Sequence, residues 1–205
     1  MTRIIPLSVQ KIPNILSGFR LLLAPIFLYL FIQDQIFWRA ISLVIFFIAA
    51  ATDFIDGYIA RRFNAESDFG VFLDPLADKF LTFAGFICLP FLDPSQFPLW
   101  AILLIVVRDV AITALRIFAN RKGVIMQTRY MAKVKTAIQM MYLYIALIFG
   151  LLMLFRGRFG EMIQIILDSN VFYTGLMLVM IITLYSGIEY IVVNRALFSS
   201  QFKKS

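Results

Sequence analysis

Six long apolar stretches follow one another along the 205-residue chain, separated by short segments rich in Gly, Pro, Asn and charged residues. Each stretch is long enough to span a membrane, because about 20 apolar residues cross the hydrocarbon core of a bilayer as a helix. The predicted spans are residues 15–32, 38–60, 71–92, 98–118, 134–155 and 171–193. The pattern therefore predicts an all-α, polytopic membrane protein with six transmembrane helices.

The composition supports an integral membrane protein, since 61% of the residues are hydrophobic and only 15% are charged. Six crossings use roughly 120 residues and leave only short loops, so a separate soluble domain is excluded. We expect one membrane domain over residues 1–205, with a juxtamembrane segment at 1–14 and a cytoplasmic tail at 199–205. The first segment suits an anionic inner leaflet, and a frayed tail is the alternative.

The positive charges, 19 Lys and Arg in a chain of net charge +7, predict the orientation. Fourteen of them lie in or beside the cytoplasmic segments if the N-terminus is inside, whereas the outer loops hold Arg39, Arg156 and Arg158. By the positive-inside rule both termini are predicted to be cytoplasmic. This placement accounts for the basic charge, and we expect no nucleic-acid partner.

Four carboxylates interrupt the apolar pattern at one end of the second and third spans. Asp53 and Asp56 share a face of one helix, and Asp74 and Asp78 share a face of the next. The two spans are consecutive and antiparallel, joined by the loop at 61–69, so both pairs are predicted to lie near the cytoplasmic interface and to face each other. Acids at this depth are costly without a partner and therefore indicate a site.

The chemistry of four oxygen donors favours a hard cation such as Mg²⁺ or Mn²⁺. The chain contains no histidine, which removes most transition-metal sites. Two ions could share four carboxylates if one bridges, and a two-metal site is a known solution to phosphoryl transfer. Two alternatives stay open: a helix-packing network with Arg61, Arg62 and Lys79, or a metal or proton transporter, whose acids should be spread across the membrane depth.

The complete motif is Asp53-x2-Asp56-Gly57-x2-Ala60-Arg61-x8-Gly70-x3-Asp74-x3-Asp78. All eight specified positions match the signature of the CDP-alcohol phosphotransferase family, which this chain resembles. The resemblance implies a six-helix membrane enzyme, usually a homodimer, that displaces CMP from a CDP-linked alcohol with a second alcohol.

The same resemblance implies roles for individual residues. Asp53, Asp56 and Asp74 would bind a first metal ion, and Asp74 would bridge to a second one. Asp78 would help to hold the second ion and act as general base on the acceptor hydroxyl. The residues that match positions holding the cytidine diphosphate moiety are Gly57, Arg61 and Ser67.

A second resemblance concerns the acceptor alcohol. The segments Arg108-Asp109-Val-Ala-Ile-Thr113-Ala-Leu-Arg116 and Ala132-Lys133-Val-Lys135-Thr136 are similar to those of bacterial phosphatidylglycerophosphate synthases. This implies CDP-diacylglycerol as donor and glycerol 3-phosphate as acceptor, in phospholipid biosynthesis at the bacterial inner membrane with a cytoplasmic active site. A phosphatidylinositol phosphate synthase or a cardiolipin synthase is the alternative within the family.

Four cations are predicted to bind the acceptor phosphate: Arg108, Arg116, Lys133 and Lys135. The alternative is that these residues set the topology or contact anionic lipid, or that Arg108 pairs with Asp109 or with another helix. Asn14, Ser17 and Arg20 form a polar stripe at the start of the first span. This stripe is predicted to line the nucleotide cavity, with helix capping by Asn14 as the other interpretation.

Overall fold

The computed structural model describes residues 7–33, 35–63, 68–121, 130–153, 163–166 and 169–202. Six long helices account for nearly all of this described part, which contains no strand. The six helices are α1 Leu7–Phe31, α2 Ile36–Phe63, α3 Asp68–Cys88, α4 Leu99–Arg121, α5 Tyr130–Leu152 and α6 Val171–Phe202. A 3₁₀ turn, Leu89–Phe91, follows α3. Since the described residues form helices and no strand, the all-α prediction is confirmed for them.

The helices are longer than several predicted spans. Helix α1 begins at Leu7 and continues through Pro13, and α6 extends to Phe202. A proline inside a helix removes one backbone hydrogen bond and crowds the carbonyl four residues earlier, yet α1 continues through Pro13, so this residue did not mark the start of the helix. The predicted loop at 61–69 shortens to 64–67, outside the described residues, because α2 ends at Phe63 and α3 begins at Asp68.

The apolar helices are those of a membrane protein. Within the described residues, the stretches Val134–Leu152 and Val171–Arg195 are long and apolar enough to cross a bilayer. Ile15–Phe31, Ile36–Thr52 and Lys79–Phe91 are shorter apolar stretches. Side chains that point outward along α6 are themselves apolar, as expected of a helix that contacts lipid: Leu178, Ile181, Tyr185 and Ile188. Six crossings with cytoplasmic termini remain a prediction.

Helix α1 packs against α2 and α3 through one continuous face. Ala24, Phe27 and Phe31 are buried along this face at helical spacing. The ring of Phe27 lies against that of Phe46 in α2, with centroids 5.0 Å apart. The other half of the bundle is formed by α4 and α5, which both pack against α6.

A polar contact joins the two described loops at the end of the bundle opposite the carboxylates. The buried side chain of Gln96 donates a hydrogen bond to Oδ1 of Asn170 at 3.2 Å. Its Oε1 accepts a bond from the backbone N–H of Tyr173, also at 3.2 Å. Asn170 has a φ of 58°, a left-handed conformation that asparagine tolerates. Gln96 therefore links the turn before α4 to the start of α6.

Replacing Gln96 with Leu should destabilise the protein by about 1–3 kcal/mol, because two partly buried hydrogen bonds, to Asn170 and from Tyr173, are lost. The measurement is the thermal unfolding midpoint in detergent. The matched control is Gln33→Leu, since Gln33 bonds only the nearby carbonyl of Tyr29 at an exposed position among its described contacts. Equal midpoints for the two variants would contradict the structural role of Gln96.

Candidate functional site

The acids of α2 continue the buried face of that helix. Ser42, Phe46 and Ala49 are buried, and they are separated by four and three residues. Asp53 and Asp56 occupy the next two positions of the same stripe, after steps of four and three. The positions of both aspartates therefore continue the helical spacing of the buried residues Ser42, Phe46 and Ala49.

The acids of α3 follow the same rule. Asp74 and Asp78 are one turn apart, and Thr82 is the next residue of the stripe. Thr82 is buried and donates a hydrogen bond to Sδ of Met140 in α5 at 3.4 Å. The α3 stripe thus leads into the interface with α5.

The two acidic stripes begin from one point of contact. A methyl group built on Gly85 of α3 would lie 3.0 Å from Cε2 of Phe46 in α2, so the helices meet closely there. Asp53 follows Phe46 by seven residues, and Asp78 precedes Gly85 by seven residues. Since the helices are antiparallel, both positions lie about 10 Å from the contact and at the same level. This register agrees with the prediction that the two pairs of acids lie at the same depth.

Several predicted site residues lie wholly or partly outside the described residues. Ser67 is outside the described chain altogether. The described side chains contain no group of three or more residues suited to hold a metal ion. The residues described only as positions in a helix, without their side chains, are Asn14, Asp53, Asp56, Gly57, Arg61, Asp74, Asp78 and Lys133.

Asp109 of α4 lies at the centre of a second cluster, made of charged side chains. Its carboxylate accepts a hydrogen bond from Nη1 of Arg108 at 2.9 Å and a short one from Nζ of Lys135 in α5. Nζ of Lys79, in α3, lies 3.6 Å from its Oδ2. Helices α3, α4 and α5 are therefore held together by one acid and three cations, which we call the cation cluster.

Helix α6 also contacts the cation cluster. Nη2 of Arg108 donates a hydrogen bond to the hydroxyl of Ser186 at 2.8 Å. Arg116 lies apart from the cluster, two turns further along α4, with its guanidinium carbon 5.7 Å from the ring centroid of Tyr190. The structure thus brings together Arg108 and Lys135 of the four predicted acceptor cations. It places Arg116 in a separate cation–π contact with α6.

The described side chains of the cation cluster carry more positive than negative charge. Three cations meet one carboxylate there, and the side chains of Lys135 and Asp109 are only 3% and 1% exposed. Charges removed from water are costly unless they are paired. Arg108, Lys135 and Lys79 are therefore held at this depth by Asp109 among the described acids.

The cation cluster lies at the level of the α3 acids. Helices α3 and α5 run in the same direction, and Thr82 contacts Met140. Lys135 precedes Met140 by five residues, which places it level with Ala77, next to Asp78. The positions of Asp78 and Lys135 therefore lie at the same level of the bundle.

The sequence did not identify three residues here as site residues: Lys79 and Asp109, which belong to the cation cluster, and Ser186, which contacts it. One signal was present for Asp109, because a carboxylate inside an apolar stretch is rare and needs a partner. Ser186 carried no such signal, since buried serines are common in membrane helices. Its role depends on which helix lies beside α4.

Ser17 and Arg20 lie on the α1 face that packs against α2 and α3. Both side chains are 0% exposed, and the face continues to Ala24 and Phe27. A fully buried guanidinium is expensive in an apolar setting, so Arg20 needs polar partners inside the bundle. Its role in lining a nucleotide cavity stays a prediction.

The sequence matches the family model described as CDP-alcohol phosphatidyltransferase over residues 10–193. Since this match covers most of the 205 residues, the chain belongs to the CDP-alcohol phosphatidyltransferase family. It is therefore a transferase, as the aspartate motif predicted. The family match also supports a membrane-embedded protein of bacterial phospholipid synthesis.

Three similar relatives carry the same enzyme name. The chain is similar to the CDP-diacylglycerol–glycerol-3-phosphate 3-phosphatidyltransferase of Bacillus subtilis, with 33% identity over 138 residues, 62% of this chain and 70% of the relative. The enzyme of the same name from Cereibacter sphaeroides is 41% identical over 137 residues, 63% of this chain and 60% of the relative. That of Wigglesworthia glossinidia brevipalpis is 33% identical over 155 residues, 71% and 85% of the two chains.

Proposed function

We propose that the protein transfers the phosphatidyl group of CDP-diacylglycerol to glycerol 3-phosphate, giving phosphatidylglycerophosphate and CMP. The observation that carries the proposal is the cation cluster, whose described side chains are three cations around one carboxylate, at the level of Asp78. The names of the relatives support the same pair of substrates. We further propose six crossings of the bacterial inner membrane, a cytoplasmic active site and a homodimer.

The carboxylate donors fit divalent metal ions. Asp53, Asp56, Asp74 and Asp78 offer only oxygen atoms, and the contact between Gly85 and Phe46 supports a common depth for their positions in α2 and α3. These residues would hold two Mg²⁺ or Mn²⁺ ions, which supply positive charge for the diphosphate and its leaving oxygen. The cytidine diphosphate moiety would lie against Gly57, Arg61 and Ser67, with Asn14, Ser17 and Arg20 lining the cavity beside α1.

The chemical step is a displacement at phosphorus. The primary hydroxyl of the acceptor forms a new P–O bond to the phosphatidyl phosphorus, and the bond from that phosphorus to the CMP oxygen breaks. CMP leaves with the electron pair of the broken bond. Asp78 accepts the proton of the attacking hydroxyl, which raises the nucleophilicity of the oxygen as the bond forms.

The cation cluster would bind the phosphate of the acceptor. A phosphomonoester carries close to two negative charges at neutral pH, and Arg108, Lys135 and Lys79 offer it positive charge. The guanidinium of Arg108 is a planar donor fork suited to phosphate oxygens, and the ammonium of Lys135 adds a compact charge. Arg116 and Lys133 are proposed as further contacts on the cytoplasmic side of the cluster.

Neutralising the cluster should affect the acceptor and spare the donor. Arg108→Ala or Lys135→Gln is expected to lower kcat/KM for glycerol 3-phosphate by about 10- to 100-fold, since a charge-assisted contact contributes roughly 1.5–3 kcal/mol. The KM for CDP-diacylglycerol should change little. The matched control is Arg39→Ala, because Arg39 stacks on Phe31 at the other end of the bundle. Equal loss for both substrates would remove the acceptor role of Arg108 and Lys135.

An acceptor panel tests the proposed function against its alternatives. Purified protein with CDP-diacylglycerol and Mg²⁺ should release CMP with glycerol 3-phosphate and react poorly with free glycerol, serine and inositol, which leave the cluster without its anion. Faster release with inositol 1-phosphate would assign the protein to the phosphatidylinositol phosphate synthases. Faster release with phosphatidylglycerol would indicate a cardiolipin synthase.

A further inference from the structure

Two neighbouring residues of α6, Ser186 and Gly187, contact the side chain of Arg108. Both are buried within the bundle. Neither belongs to the acidic motif or to the predicted acceptor cations. Their contacts show how the last helix of the chain, which carries no part of the family motif, bears on the site.

Gly187 provides the space in which the Arg108 side chain lies. A Cβ atom added to Gly187 would lie 2.8 Å from Nε and 3.2 Å from Cγ of Arg108. Contacts this short do not occur, so any larger residue would displace the arginine. Glycine weakens a helix relative to alanine, which means that the local stability of α6 does not favour it at this position.

Ser186 fixes the far end of the same side chain. Its hydroxyl donates to the carbonyl of Thr183 at 3.1 Å, so its lone pairs remain to accept the bond from Nη2 of Arg108. Nη1 is bound at the same time to Asp109. Because Nη1 binds a residue of α4 and Nη2 binds a residue of α6, the orientation of the guanidinium plane is fixed.

We propose that Ser186 and Gly187 are positioning residues that orient Arg108 toward the acceptor phosphate. This inference rests on the proposed function, in which Arg108 contacts glycerol 3-phosphate. An arginine has several rotatable bonds, and a misplaced donor fork forms fewer of its paired bonds to phosphate. The α6 pair therefore makes the acceptor site depend on the packing of α4 against α6.

The test is a Gly187→Ala variant assayed for CMP release at varied glycerol 3-phosphate. We expect the KM of the acceptor to rise by about 10-fold, because the displaced arginine loses a charge-assisted contact, while the KM for CDP-diacylglycerol is unchanged. Ser186→Ala should raise the acceptor KM less, since the space for the side chain is kept. If Gly187→Ala does not fold, Ser186→Ala tests the proposal instead: its KM for glycerol 3-phosphate should rise while its KM for CDP-diacylglycerol is unchanged.

Gly175→Ala is the matched control, since it makes the same change in the same helix. The new methyl group would lie 2.8 Å from Cε2 of Tyr142, away from the cation cluster. It should lower the thermal unfolding midpoint and leave the acceptor KM unchanged. A rise in acceptor KM with Gly175→Ala equal to that with Gly187→Ala would overturn the proposal, because any disturbance of α6 would then suffice.

A double-mutant cycle separates positioning from simple packing. In an Arg108→Ala background, Gly187→Ala should have no further effect on the acceptor KM, because it acts through the arginine. A further rise of the same size would overturn the inference. If Arg108→Ala itself leaves the acceptor KM unchanged, the proposed role of Arg108 fails. If Arg108→Ala raises it and neither α6 variant does, only the inference about α6 fails.

Discussion

Turnover should be lost when Asp53, Asp56 or Asp74 is replaced with Asn, and binding of the divalent ion should weaken. Each substitution removes one negative charge that a pair of divalent ions requires, with little change in side-chain size. Metal ions contribute several kcal/mol to the stabilisation of a phosphoryl-transfer transition state, so the expected loss in kcat is about 10³-fold or more. CMP release and a Mn²⁺ titration followed by electron paramagnetic resonance measure the two effects.

Asp93→Asn is the control for this series. Asp93 lies in the loop before α4, where its carboxylate accepts hydrogen bonds from the hydroxyl and backbone N–H of Ser95. Burial raises the pKa of this carboxyl, but the bonds from Ser95 and from the N–H of Gln96 outweigh it and hold the pKa below its usual value. This variant should keep near-normal CMP release. Near-normal activity of the Asp53, Asp56 and Asp74 variants in Mg²⁺ would contradict the metal site.

Asp78→Asn should produce a different kind of defect. As the proposed base, Asp78 takes the proton from the acceptor hydroxyl, and loss of a general base lowers the chemical step by about 10²-fold or more. Binding of CDP-diacylglycerol should be largely kept, since the other three aspartates remain. Single-turnover CMP release and a separate donor-binding measurement give the two quantities. If the activity fell only in proportion to the affinity for CDP-diacylglycerol, Asp78 would be a metal ligand and its role as general base would be excluded.

The helices and the order of the acidic stripes were predictable because they depend on local spacing. Apolar stretches of membrane-spanning length identified the long helices of the described residues, and a step of three residues placed Asp53 and Asp56 on one face. The helix ends were less predictable. The polar residues Lys11 and Asn14 and the proline at 13 suggested that the first helix begins after them. In the structure α1 begins at Leu7 and includes all three.

The cation cluster was predictable only in part, because it depends on which helices are neighbours. Arg108 and Lys135 were expected to converge, and they share the carboxylate of Asp109. No local pattern relates Lys79 to Asp109, 30 positions apart, or Gly187 to Arg108. These contacts arise from the packing of α3, α5 and α6 around α4. Arg116 meets Tyr190 for the same reason.

The measurement that tests the account most directly is product analysis in proteoliposomes that contain CDP-diacylglycerol, Mg²⁺ and isotopically labelled glycerol 3-phosphate. Mass spectrometry of the lipids and chromatography of the nucleotides report both products of one reaction. We predict one labelled phosphatidylglycerophosphate for each CMP released, and neither product with the Asp74→Asn variant. Release of CMP without labelled lipid would contradict the acceptor. Absence of CMP release with every alcohol, together with metal-ion or proton flux across the liposomes, would contradict the enzyme and favour a transporter.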